Sequence, residues 1–170
     1  MEDKKYFSRQ IDESLMAWKN STRHKPLLLR GARQVGKSSS VRHLAKQFDY
    51  FVEINFERKP AYLEIFKGDR DAKHIVEMIK SITGEPIVPG KTLLFFDEIQ
   101  MCQEAISSLR FFWEDMPGLH VIAAGSLLEF ALSEIPTFGV GRIHSMFMYP
   151  MSFDEFLNAL GMFSLQKYKR

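Results

Sequence analysis

Apolar positions along this chain alternate between a helical period and short continuous runs, and the two alternate in a regular order. Phe7, Ile11, Leu15 and Trp18 recur at helical spacing and predict an amphipathic opening helix. A polar connection over Asn20–Lys25 leads into Pro26-Leu27-Leu28-Leu29-Arg30, which reads as a short buried strand. Gly31–Ser38 is a glycine-bounded loop, and Val41, Leu44, Ala45 and Phe48 then mark one face of a helix. Tyr50–Phe56 concentrates β-branched and aromatic residues and predicts a second strand. Ile75, Val76, Ile79 and Ile82 give a further helix, closed by Gly84 and Pro86.

Thr92–Phe96 is an unbroken apolar run that ends in Asp97-Glu98. Ala105, Ile106, Leu109, Phe112, Trp113 and Met116 form a helix face stopped by Pro117-Gly118. His120–Ala124 is a fourth strand, followed by Gly125-Ser126 and a short helix through Leu132. Pro136, Gly139 and Gly141 make Glu134–Gly141 a loop, and Ser145–Tyr149 can form a fifth strand. Ser152-Phe153-Asp154-Glu155 is a capping box that opens a last helix through Leu160. Strands that alternate with helices, and are apolar throughout, belong in a parallel sheet covered on both faces. The fold class is therefore α/β, in one domain over residues 1–170. It divides into an N-terminal helix and connection (1–25), a core (26–150) and the start of a C-terminal helix (151–170).

Composition narrows the functions open to such a domain. Lys plus Arg is 23 and Asp plus Glu is 21, a formal charge of +2, so attachment to nucleic acid or membrane chiefly by electrostatics is unsupported. The one cysteine, Cys102, removes intrachain disulfides and every CxxC zinc or redox site, and has no histidine near it in sequence. It reads as a packed thiol. Five scattered histidines without HExxH form no metal motif. The opening residues lack an apolar h-region, and no apolar run approaches about 18 residues, so a cytoplasmic protein with no membrane partner is expected.

The chemistry is concentrated in two places. Gly31-Ala32-Arg33-Gln34-Val35-Gly36-Lys37-Ser38 is a full match to G-x-x-x-x-G-K-[ST], which arises by chance in a chain of this composition about once in two hundred. Glycines let successive backbone N–H groups face one anion, and the helix that follows adds its positive end. Lys37 would reach the β- and γ-phosphates, Ser38 would complete a Mg²⁺ shell, and Ser39 extends the amide cradle. The second place is Asp97-Glu98, two carboxylates at the C-terminal edge of a buried strand, where ligands of open α/β sheets lie. Asp97 suits the metal, through a bound water, and Glu98 suits the activation of an attacking water.

Three further side chains have two uses each. Ser126 can touch the γ-phosphate or lytic water, or can cap the helix after it; one hydroxyl can serve both. Arg142 can supply positive charge to a transition state, in cis or from a neighbouring subunit, or face solvent. Arg33 can contact phosphate or solvent. Gln100 and Glu57 also follow strand ends, with nothing to separate them from surface residues, and Met146-Phe147-Met148 reads as core or subunit-contact surface.

With those motifs in hand, the chain resembles the AAA-type P-loop ATPases in which GxRQVGK[ST] precedes a hydrophobic-DE[IV]Q strand, here Phe95-Phe96-Asp97-Glu98-Ile99-Gln100. Ala124-Gly125-Ser126, Gly141-Arg142 and Tyr149-Pro150-Met151-Ser152-Phe153-Asp154-Glu155-Phe156 are similar to that family's GS, GR and PLSF-x-EF segments, with Met151 in place of Leu. The resemblance implies a three-layer fold with a five-stranded, mostly parallel sheet in the order 5-1-4-3-2. It implies ATP and Mg²⁺ as cofactors, ATP hydrolysis with Glu98 as base, and a C-terminal effector domain beyond this chain. A homo-oligomer with an arginine finger in trans is one assembly open to it, with the oligomeric state and the cis or trans action of Arg142 undetermined by the sequence. A slow nucleotide-dependent switch with little turnover is the other reading. The base-binding pocket leaves no motif, and the opening helix with Lys4–Arg9 is the segment available for it.

Overall fold

In the computed structural model, residues 6–68, 71–126, 128 and 141–162 are described. Five strands form one sheet: β1 (Leu27–Arg30), β2 (Tyr50–Asn55), β3 (Thr92–Asp97), β4 (His120–Ala124) and β5 (His144–Phe147). Their order is β2-β3-β4-β1-β5, the predicted 5-1-4-3-2 read from the other edge, and every neighbouring pair is parallel. The helices are α1 (Ile11–Asn20), α2 (Lys37–Ala45), α3 (Ala72–Thr83), α4 (Gln103–Asp115) and α5 (Phe153–Ala159).

Strand side chains alternate between faces, so consecutive apolar residues feed two separate cores. Leu27, Leu29, Leu93, Phe95, Ile122 and Ala124 pack with Leu15 and Trp18 of α1 and Val41 and Leu44 of α2. Leu28, Leu94, Phe96, Val121 and Ala123 pack on the other face with Ile75, Val76 and Ile79 of α3 and Ile106, Leu109 and Phe112 of α4. This is why the central strands β1, β3 and β4 carry no apolar–polar alternation, whereas the edge strands β2 and β5 are partly exposed. Phe96 centres a ring cluster, with Phe66 at 5.4 Å, Phe112 at 5.8 Å and Phe56 at 6.2 Å between centroids.

Several boundaries move from their predicted places, each for a local reason. Phe7 is exposed and lies outside α1, because the Asp12 carboxylate accepts from Arg9 N–H at 2.8 Å and starts the helix after it. Phe48 follows the end of α2 yet still packs on the α1–α2 core. The fifth strand runs His144–Phe147; Met148 N–H still donates to Arg30 O, but the Tyr149 carbonyl turns to Arg9 and leaves the sheet. Met148 is buried and Phe147 exposed, so the Met146–Met148 run contributes one residue to each environment. Pro60–Phe66 forms a 3₁₀ turn that the apolar spacing did not predict, and it buries Tyr62, Ile65 and Phe66. Cys102 is buried and its thiol is pushed up to about 11 by that burial, an inert packed group. The helix expected through Leu132 and most of the Glu134–Gly141 loop lie outside the described residues, apart from helical Leu128.

A second polar feature lies at the opposite end of the sheet from the strand C-termini. His24 and His120 stack at 3.7 Å against the edge of Trp18. His120 Nε2 donates to Lys19 O at 3.0 Å, which leaves Nδ1 buried with no hydrogen-bond partner. Burial, with His24 and Lys19 adding repulsion, pulls the His120 pKa from 6.5 down to about 4. Folding therefore excludes a proton that the unfolded chain binds. That exclusion costs nothing above about pH 6.5, and its cost to stability grows as the pH falls toward 4. Urea unfolding at pH 7 and pH 4 should show a loss of up to about 3 kcal/mol from this group, at 1.36 kcal/mol per pH unit. His120→Phe, which keeps a ring in the stack, should flatten that part of the profile.

Candidate nucleotide-binding site

Parallel strands place all their C-terminal ends on one edge, and the glycine-bounded loop leaves β1 there. Gly31 has φ +144°, and a Cβ on it would stand 2.3 Å from Met148 O, so only glycine lets the chain leave between β1 and β5. Gln34 at φ 64° and Gly36 at φ 105° turn the loop back into α2, whose first residue is Lys37. The loop thus delivers backbone N–H groups and a helix N-terminus to one point, which is the geometry that holds phosphate. Lys37 is buried, with its ammonium donating to Gly31 O at 2.9 Å and Ala32 O at 2.7 Å across the loop. Burial lowers its pKa, and the Glu98 and Asp97 carboxylates oppose that shift.

Ser38, one residue into α2, donates its hydroxyl to Asp97 Oδ1 at 2.9 Å. Residues 59 apart in sequence are thereby joined at the end of β3. Asp97 is 4% exposed and also accepts from Asn55 Nδ2 at 3.0 Å and from Glu98 N–H at 3.2 Å. Arg42 Nη2 stands 3.7 Å from Oδ2 while the same guanidinium makes two bonds to Glu53. Burial raises the Asp97 carboxyl above its usual range, and the Ser38 hydroxyl and Arg42 offset only part of that. A hydroxyl and a desolvated carboxylate, all oxygen, are the donor set that a hard divalent cation prefers, so the residues fit Mg²⁺.

Glu98 is half-buried and adopts φ 53°, and its carboxylate accepts from Gln100 Nε2 at 2.6 Å. Ser126 lies two residues past β4, between β1 and β3, on the same edge; Ala124 is level with both Leu29 and Asp97. Arg33 is well exposed, 3.9 Å from the exposed Glu57.

Arg142 sits elsewhere. It precedes β5, whose His144 is level with Leu27, so it lies at the N-terminal edge of the sheet. It pairs with Glu114 near the end of α4 at 2.9 Å. The four residues of β1, at about 3.3 Å each, put about 13 Å between this edge and the one where the loop lies.

Residues distant in sequence complete the surroundings. Arg9 donates Nη1 to Val35 O at 2.7 Å, Nη2 to Tyr149 O at 3.0 Å and Nε to Glu155 Oε1 at 3.0 Å. Glu155 also accepts from Gln10 N–H and, as the capping box predicts, from Ser152 N–H. Burial would raise the Glu155 carboxyl, but those N–H donors and the Arg9 charge outweigh it and hold it below the usual range. Beside this clamp, Tyr6 stacks on His43 at 4.0 Å and bonds to Asp12 and Ser40. The pair lines a cleft of about 1230 Å³ that reaches Gly36, Ser39, Arg42 and Asn55. Asn55 and Arg42 carried no sequence signal; the β2–β3 register brings Asn55 level with Asp97.

The Arg9–Glu155 pair is 8% exposed on each side, and removing one partner leaves a buried charge. Glu155→Ala should cost about 3–5 kcal/mol in urea unfolding, against about 1 kcal/mol for the cap alone in Ser152→Ala.

Among curated proteins, none matches this sequence. A family model described as an AAA domain matches residues 23–157, from just before β1 into α5. With a parallel sheet in the order 2-3-4-1-5 and the loop and carboxylate strand meeting at its edge, the chain belongs to the AAA domain family.

Proposed function

We propose that this domain binds ATP with Mg²⁺ and hydrolyses it. The observation that carries the reading is the Ser38–Asp97 hydrogen bond, which brings the loop and the acidic strand end to 2.9 Å. The amides of Gly31–Ser39 and the Lys37 ammonium hold the phosphates, and Lys37 exchanges its two loop carbonyls for phosphate oxygens. Ser38 and Asp97 hold the metal, which supplies neutralisation of the β- and γ-oxygens when bound. Glu98, beside Asp97, accepts the proton of the attacking water. Ser126 faces the same edge and contacts the γ-phosphate. The cleft beside Ser39, walled by Tyr6 and His43, receives the base and ribose.

One observation favours the slow-switch reading: Arg142, the finger candidate, pairs with Glu114 at the other edge of the sheet. Arg142 therefore acts in trans, from a second copy, or not at all. The oligomer, and an effector that follows α5, belong to this proposal.

Lys37→Ala should abolish ATP binding by equilibrium titration; retained micromolar affinity counts against the site. Glu98→Gln should bind ATP and lose turnover by roughly 10²–10⁴, the share of a general base. Turnover that rises with protein concentration and drops in Arg142→Ala identifies an assembled ATPase, whereas flat, near-zero turnover with tight binding identifies the switch.

A further inference from the structure

Gln100 was indistinguishable from a surface residue in sequence, and the structure gives its amide two different surroundings. Nε2 donates to Glu98 Oε2 at 2.6 Å. The assignment of the two amide atoms is fixed by charge, because a carboxylate accepts only and the carbonyl oxygen in that place would face it lone pair to lone pair. Oε1 consequently points the other way, where it is buried without a hydrogen-bond partner among the described residues. It points at Gly125: a Cβ built on that glycine would stand 2.2 Å from Oε1 and 3.3 Å from Cδ. Gly125 directly follows Ala124, which is level with Asp97, and directly precedes Ser126. One planar amide therefore spans the half-buried Glu98 carboxylate and the turn after β4. A buried acceptor without a donor is unfavourable, so its place is set by what the amide does at its other end and against the turn.

We propose that Gln100 is the positioning residue for Glu98, and that it seats against Gly125 so that the Gly125–Ser126 turn sets where the carboxylate points. The inference rests on Glu98 being the base in the reading above. A rigid amide carries displacement of the turn to the carboxylate because both of its polar ends are in contact and neither is free to rotate alone. Glycine at 125 is then required for seating the amide, since its own backbone angle is ordinary.

Single-turnover hydrolysis of Mg-ATP, with nucleotide affinity measured alongside, tests this in four variants of the chain. Gln100→Met keeps the length and removes both polar atoms. It should lower the hydrolysis rate about 10- to 100-fold, short of the roughly 10²–10⁴ carried by a general base, with Kd and KM unchanged. Gly125→Ala should lower the rate similarly by unseating the amide. In the double variant Gly125→Ala should add less than about twofold, because the atom it displaces is gone. Glu98→Gln is the control. Loss of turnover in Glu98→Gln with full rates in Gln100→Met overturns the inference alone, as do additive effects in the double variant or a fall in nucleotide affinity that matches the fall in rate. Turnover retained in Glu98→Gln, or a chain that binds Mg-ATP and hydrolyses none, removes the reading of Glu98 and this inference with it.

Discussion

A carboxylate at the end of an entirely buried strand is the constraint around which this edge of the molecule is arranged. Asp97 continues the apolar run of β3 without reaching solvent, and a desolvated charge there is costly unless every lone pair finds a partner. The partners come from three directions: the Ser38 hydroxyl from α2, the Asn55 amide from β2, and the N–H of the next residue. Each depends on a parallel register that is correct to one residue. A slip of β2 by one position would turn Asn55 to the other face and leave the carboxylate short of a donor. The fold and the candidate site are in this sense one arrangement, since the site's charge is satisfied only in the native pairing.

The loop before α2 is held from outside as well as from below. Gly31 leaves no room for a side chain under Met148, and Arg9 grips the Val35 carbonyl from above. Arg9 is itself fixed by Glu155, whose second oxygen caps α5. The first turn of the last described helix and the segment before the first helix therefore meet over the loop. Displacement of either would be felt at Val35 and Gly36 through one guanidinium. A domain attached beyond α5 would have a short mechanical route to the nucleotide site.

The division of apolar residues between two cores explains how little of the strand pattern was ambiguous. Continuous runs such as Leu27–Leu29 and Leu93–Phe96 are required by helices on both faces, and such runs are readable without a structure. The 3₁₀ turn at Pro60–Phe66 was not readable: Tyr62, Ile65 and Phe66 fall at i, i+3 and i+4, but one turn of that spacing is too short to mark an element. Arg142 illustrates the opposite case. Its neighbourhood in sequence suggested chemistry, and its position in the sheet places it with Glu114 at the far edge.

The loop motif, the acidic strand end, the capping box and the α/β alternation were determined by sequence alone, because each is a local pattern whose physics acts within a few residues. Glycine spacing sets a backbone path, and a serine three residues before a glutamate sets a helix start. Tertiary structure alone decided that Asn55 and Ser38 share one carboxylate, that Arg9 spans from Val35 to Glu155, and that Gln100 lies between Glu98 and Gly125. Those contacts join residues whose separation in sequence carries no information about their distance, and only the order and register of the strands bring them together.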